Sequence, residues 1–96
     1  MYSNSHSEDF YSRFYNQLLE SQNWPGLYLF KFIVKSESPH LDDLKSLFDP
    51  NKAEFTEKKS SKKKFTSLSV KIKMSKPENV INIYKKSSKL KGIISL

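Results

Sequence analysis

Lys58-Lys59-Ser60-Ser61-Lys62-Lys63-Lys64 places five ammonium groups and two hydroxyls within seven residues, the densest polar chemistry in the chain. Ammonium groups, hydroxyls and turn amides are what a phosphate or similar anion needs, and Phe65 beside them offers a ring face. The candidate anion-binding residues are therefore Lys59, Ser60, Ser61, Lys62, Lys63 and Lys64. The same composition describes a solvated hairpin tip that keeps a sheet edge soluble, and this plainer reading is preferred.

Other chemistry is sparse. Cysteine is absent, which removes disulfides, zinc thiolate sites and thiol nucleophiles together and fits a reducing cytoplasm. His6 and His40 stand far apart with no recognised ligand spacing, so no metal site is expected. Asp42 and Asp43 are adjacent, and neighbours on a helix do not face each other; a first helical turn explains both electrostatically. The serines lie in polar loops and wet strand faces, with neither an elbow motif nor a nearby histidine. These absences point to a protein that is not an enzyme, with no catalytic residues and no cofactor.

The lysine run must be held by strands. After it, Leu68, Val70, Ile72 and Met74 alternate with Ser67, Ser69, Lys71 and Lys73, the period of a strand with one buried face. Ser75-Lys76-Pro77-Glu78 fits a capping box with proline in the first turn, and a helix follows to about Ser88 with Val80, Ile81 and Tyr84 inward. Before the run, residues 52–58 alternate weakly and carry the charges of an edge strand. Residues 27–35 form an apolar run that reads as a central strand, with Tyr28, Phe30, Phe32 and Val34 on one face and Leu27, Leu29, Lys31 and Ile33 on the other. Ser38-Pro39 offers an N-cap and first-turn proline to a short helix with Leu41, Leu44, Leu47 and Phe48 inward, closed by Asp49-Pro50-Asn51. Residues 90–96 read as a last strand.

Ahead of these, residues 5–22 predict an aromatic amphipathic helix, with Ser5 and Glu8 as a second capping box and Phe10, Phe14 and Leu18 on one stripe. Asn23-Trp24-Pro25-Gly26 breaks it. The division expected is a helical extension over residues 1–22 and one domain over residues 23–96. In that domain the order βαββαβ predicts an α+β, ferredoxin-like sandwich: a four-stranded antiparallel sheet with two helices on one face. Its other face would expose Leu27, Leu29, Ile33, Phe65 and Ile93, more apolar surface than a monomer usually leaves in one patch. The stripe of Phe10, Phe14 and Leu18 is the expected cover, within one subunit or across a homodimer. Together Phe10, Phe14, Leu18, Leu27, Leu29, Ile33 and Phe65 form the candidate interaction face.

Trp24-Pro25 leading into Phe30-Lys31-Phe32-Ile33-Val34, then Ser60-Ser61-Lys62, Phe65-Thr66-Ser67-Leu68-Ser69-Val70, and Tyr84 before a short terminal strand, resemble the YbeD-like small bacterial proteins, a domain of unknown function (family 493). The resemblance spans about residues 16–96, with Asn16 to Glu20 similar to the family's leading helix. It implies a ferredoxin-like fold akin to ACT-type regulatory domains, and so a role in sensing a small molecule or a protein. The chain departs from the family at Lys35-Ser36 and at Lys63, where glycine is usual. ACT-type ligand sites use glycine after that first strand so that a ligand can approach the backbone; its absence argues against an amino-acid site.

Net charge is +7, unevenly spread. From Asn51 onward thirteen Lys face only Glu54, Glu57 and Glu78, giving +10, whereas residues 1–50 sum to −3. The single arginine, Arg13, argues against sequence-specific nucleic-acid reading, which favours the guanidinium fork. An RNA-recognition module wants glycine and alternating aromatics on its third strand, whereas residues 64–70 supply only Phe65. The amino terminus has no basic start or apolar run, and no stretch reaches the ~20 apolar residues of a membrane span, so a cytoplasmic location is expected.

The reading adopted is a noncatalytic regulatory or adaptor domain that binds a protein partner or small ligand. The alternative is a low-specificity RNA or polyanion binder using the lysine-rich hairpin. Salt separates the two. A polyanion held by several lysines loses affinity with a log–log slope of about 0.7 per phosphate neutralised on single strands, while a partner held by an apolar face responds little; titrating any bound species with salt measures the difference.

Overall fold

The computed structural model describes residues 2–36 and 38–95, with side chains described from Asp9 onward. The elements run α1 (Tyr2–Ser21), β1 (Gly26–Lys35), α2 (Leu41–Lys45), β2 (Glu54–Lys59), β3 (Phe65–Met74), α3 (Pro77–Ser87) and β4 (Ile93–Ser95). The fold is α+β: one four-stranded antiparallel sheet in the order β2-β3-β1-β4, with three helices.

Two long strands make the centre. β1 and β3 pair over their full length, from Gly26 opposite Met74 to Lys35 opposite Phe65. Because side chains alternate along a strand, this register stacks Phe30, Phe32 and Val34 with Leu68, Val70, Ile72 and Met74 on one face, and all seven are buried. β2 adds an edge beside β3, and β4 pairs with the far end of β1. Gly26 opens β1 where the chain turns tightly: a Cβ there would lie 2.7 Å from the Asn23 carbonyl oxygen, so only glycine fits.

The helices close the core face. Leu44 and Phe48 enter from α2 and the turn beyond it, and Val80 and Ile81 from α3. Phe30 sits 5.1 Å from Phe48 and 5.3 Å from Tyr84, ring centre to ring centre. The Tyr84 hydroxyl meets that of Tyr28 at 3.3 Å, and burial, reinforced by this contact, pushes the Tyr84 phenol far above its usual range.

Both helix entries differ from expectation. Lys76, not Ser75, is the N-cap residue of α3 and makes no side-chain cap, while Pro77 takes the first turn; the Ser75 hydroxyl instead accepts from Asn79 Nδ2 at 2.6 Å. Lys76 stays extended, with φ of −161° and ψ of 160°, because it precedes Pro77, whose ring disfavours helical backbone in the residue before it. His40 rather than Ser38 precedes α2, and Asp43 turns back to His40 Nδ1 at 2.9 Å. At the other ends, α1 extends to Tyr2, while the Ser5 and Glu8 side chains and Leu96 lie outside the described residues.

The largest departure concerns α1. Its aromatic stripe does not cover the outer sheet face. Phe14 packs on Tyr84 of α3 at 5.5 Å, Tyr11 lies under Lys85 Nζ at 4.9 Å, and Leu18 is buried in the core. Helix α1 thus joins the layer that already holds α3. The short link after it sets this direction: the Leu18 carbonyl, left over at the helix end, accepts from both Ser21 Oγ and Trp24 Nε1 at 2.8 Å, and Trp24 stacks near Tyr28 on the core side. No helix among the described residues is long and apolar enough to cross a membrane.

Leu18 and Phe10 occupy the same helix with opposite burial, 3% and 55% exposed. Leu18→Ala is expected to cost about 2–4 kcal/mol as a core truncation, and Phe10→Ala under about 1 kcal/mol, read as the shift in urea midpoint at constant slope.

Candidate functional site

Hairpin closure determines where the lysines go. Ser60 N–H donates to the Phe65 carbonyl at 2.8 Å, Lys63 N–H donates to the Ser60 carbonyl at 2.9 Å, and the Ser60 hydroxyl accepts from the amides of Lys64 and Phe65 at 3.2 Å. The Ser60 side chain is thus a structural brace. Lys63 completes the tip with φ of 56°, the left-handed conformation that favours glycine. The sequence puts lysine where backbone geometry asks for glycine.

The tip divides the predicted cluster. Lys62, Lys63 and Lys64 line a cleft of about 830 Å³ at the end of the sheet. Lys58, Lys59, Ser60 and Ser61 instead border a smaller hollow, about 280 Å³, on the outer face beside Ile33 and Phe65. Of the six candidate anion-binding residues, three therefore converge on the cleft and three do not.

The other wall of the cleft comes from residues that sequence reasoning passed over. Lys35 ends β1, and Lys91-Gly92 is the turn into β4. Pairing brings them together: Lys35 N–H donates to the Gly92 carbonyl at 3.1 Å, and Ser36 N–H donates to the Lys64 carbonyl at 2.9 Å. The Ser38 hydroxyl donates to the Lys91 carbonyl at 3.3 Å and accepts from His40 N–H at 3.2 Å, tying the loop after β1 to that turn. Gly92 has φ of 80°, and a Cβ on it would touch Ser38 at 3.4 Å. Five lysines from three separate segments thus line one concavity, with Phe65 and His40 beside them and, among the described residues, no carboxylate. A signal was present in the sequence: once the terminal strand is set antiparallel to β1, its approach, Lys89 to Gly92, must lie next to Lys35.

The candidate interaction face also divides. Leu27, Leu29 and Phe65 are exposed on the outer sheet face at 57%, 49% and 39%, with Ile33 half-buried among them. The fifth apolar group there is Ile94, 53% exposed and paired with Ile33, rather than Ile93, which stands opposite Val34 and packs on the core. Phe10, Phe14 and Leu18 lie on α1, in the helical layer across the sheet. Lys31, Lys71 and Lys73 stand exposed between the apolar groups of the outer face. His6 lies outside the described side chains, and the described residues contain no group of three or more histidines and carboxylates that could hold a metal ion.

The family model described as "Protein of unknown function (DUF493)" matches residues 19–95, from the last turn of α1 through β4. No curated protein and no solved structure matches the chain.

The strained tip gives a direct test of the hairpin geometry. Lys63→Gly is expected to stabilise the fold by about 0.5–1 kcal/mol, the left-handed penalty relieved less the chain entropy glycine adds; Lys62→Gly, a control on the same tip where positive φ is absent, should give no gain. Thermal midpoints of the two variants measure the contrast.

Proposed function

The chain belongs to the DUF493 family, and from that premise we propose that it is a noncatalytic regulatory or adaptor domain that binds a partner protein on the outer face of its sheet. The carrying observation is the uncovered patch of Leu27, Leu29, Ile33, Phe65 and Ile94, against which no helical side chain packs among the described residues. An apolar patch of this kind, set among polar groups, marks an interaction surface. Lys31, Lys71 and Lys73 beside it favour a partner segment that is both apolar and acidic, since like charge would be repelled. The sheet order β2-β3-β1-β4 supports reading the domain as a ferredoxin-like sandwich, in which one face is left free for such docking.

The second reading, a low-specificity RNA or polyanion binder in the cytoplasm, draws support from the lysine-lined cleft. Against it, the outer face carries a single aromatic, Phe65, where single-strand binders stack successive bases on several rings.

Affinity capture from nuclease-treated extract of the protein's own cells separates the readings. A protein retained by the wild type, lost with Leu29→Ser and Ile94→Ser together, and kept when Lys62, Lys63 and Lys64 are changed to Gln supports sheet-face docking. Both exposed positions tolerate serine at less than about 1 kcal/mol, so folding is preserved. Retention that vanishes with nuclease, or that follows the lysines instead, overturns it.

A further inference from the structure

We propose that the cleft at the end of the sheet is a binding site for a small ligand carrying two or more linked phosphates, such as a nucleoside di- or triphosphate. It shares Phe65 with the outer-face surface, and the proposal does not depend on that surface having a partner.

Charge is the first argument. Lys35, Lys62, Lys63, Lys64 and Lys91 line one concavity of about 830 Å³, and the described residues lining it include no carboxylate, Glu37 lying outside the described residues. Elsewhere lysine does find a partner, as Lys45 does with Glu57 and Lys85 with the Tyr11 ring. Gathering like charges costs free energy that a multiply charged anion would recover, because phosphate oxygens accept from several ammonium groups at once. A singly charged carboxylate recovers far less of it.

Construction is the second. The wall is braced by hydrogen bonds that converge from distant parts of the chain: Lys35 to Gly92, Ser36 to Lys64, and Ser38 to Lys91. These bonds use backbone groups and the Ser38 hydroxyl, and among the described residues none of the five rim lysines is in an ion pair. The volume lies within the range of small-molecule sites, ~300–1,000 Å³.

Phe65 is the third. It stands at the corner shared by cleft and outer face, 39% exposed and directly across from Lys35. Its ring is placed to stack on a base or other planar group while the lysines hold the phosphates.

The test is calorimetric titration of the full chain with inorganic tripolyphosphate, with ATP and with single-stranded RNA, in the absence of divalent cations. The expected result is one-to-one saturable binding of tripolyphosphate and ATP, weakened roughly tenfold by Lys35→Gln with Lys91→Gln, which remove two charge contacts on the wall remote in sequence from the hairpin. Lys71→Gln with Lys73→Gln, on the outer face, should leave affinity unchanged. Ligand must also raise the thermal midpoint of the wild type, and less so that of the cleft variant, which keeps the readout independent of expression or yield. Tighter binding of ATP than of tripolyphosphate, lost on Phe65→Leu, assigns the ligand to the nucleotide class; equal affinity assigns it to the phosphate chain alone, and either supports the site. Equal weakening by the outer-face pair, stoichiometry above one, or RNA displacing both small anions at comparable phosphate concentration overturns the proposal.

Discussion

The ten-residue antiparallel register between β1 and β3 is the constraint on which the rest of the molecule depends. A strand has a side-chain period of two, so one parity decides everything placed on its two faces. With Phe30 opposite Val70 and Phe32 opposite Leu68, the even positions of both strands make a floor for the helices that is apolar from Phe30 to Val34 and from Leu68 to Met74. The same parity commits Leu27, Leu29 and Ile33 to the outer face beside Lys31, Lys71 and Lys73. A slip of one residue would exchange the two sets and put charge into the core. The register also ends with Lys35 opposite Phe65, so the corner of the cleft is built by the pairing that builds the core.

Aromatic packing decides how the helical layer assembles. The Tyr84 ring lies within about 6 Å of those of Phe14, Phe30 and Phe32, and so joins α1 and α3 to the sheet. Edge-on and tilted contacts of this kind each add of order 0.5–1.5 kcal/mol beyond the area they bury. They give α1 a well-matched apolar seat on the helical side. The outer face offers it isolated leucines separated by lysines, and an aromatic stripe gains less there. The choice leaves Leu27, Leu29, Phe65 and Ile94 exposed on that face.

At the end of the sheet, backbone geometry and charge act together. Hairpin closure through Ser60 aims Lys62, Lys63 and Lys64 at the loop after β1, and the positive φ of Gly92 lets the last turn approach Ser38 closely enough to bring Lys91 to the same place. Lysine held in a left-handed conformation at position 63 stores backbone strain. Strain and a gathering of five lysines at one site are features that packing alone does not call for. Phe65 belongs to both the cleft and the outer face, so an occupant of one adjoins an occupant of the other.

Much of this was legible in the residues themselves. The alternation from Leu68 to Met74, the proline opening α3, the apolar run of β1, and the inward set of Leu44, Phe48, Val80 and Ile81 all follow from residues within a few positions of one another, where sterics and hydrogen bonding act locally, and the family was recognisable from motifs spread along residues 24–84. Cap identity was less legible, because Ser75 and Ser38 sit one and two residues before the positions, Lys76 and His40, where the helices begin. Only the tertiary structure decided that α1 lies on α3 and not on the outer face, that Ile94 rather than Ile93 is exposed, and that Lys35 and Lys91 join the hairpin lysines. Those outcomes rest on contacts between residues tens of positions apart, chosen by the fit of whole surfaces, and no local pattern encodes that fit.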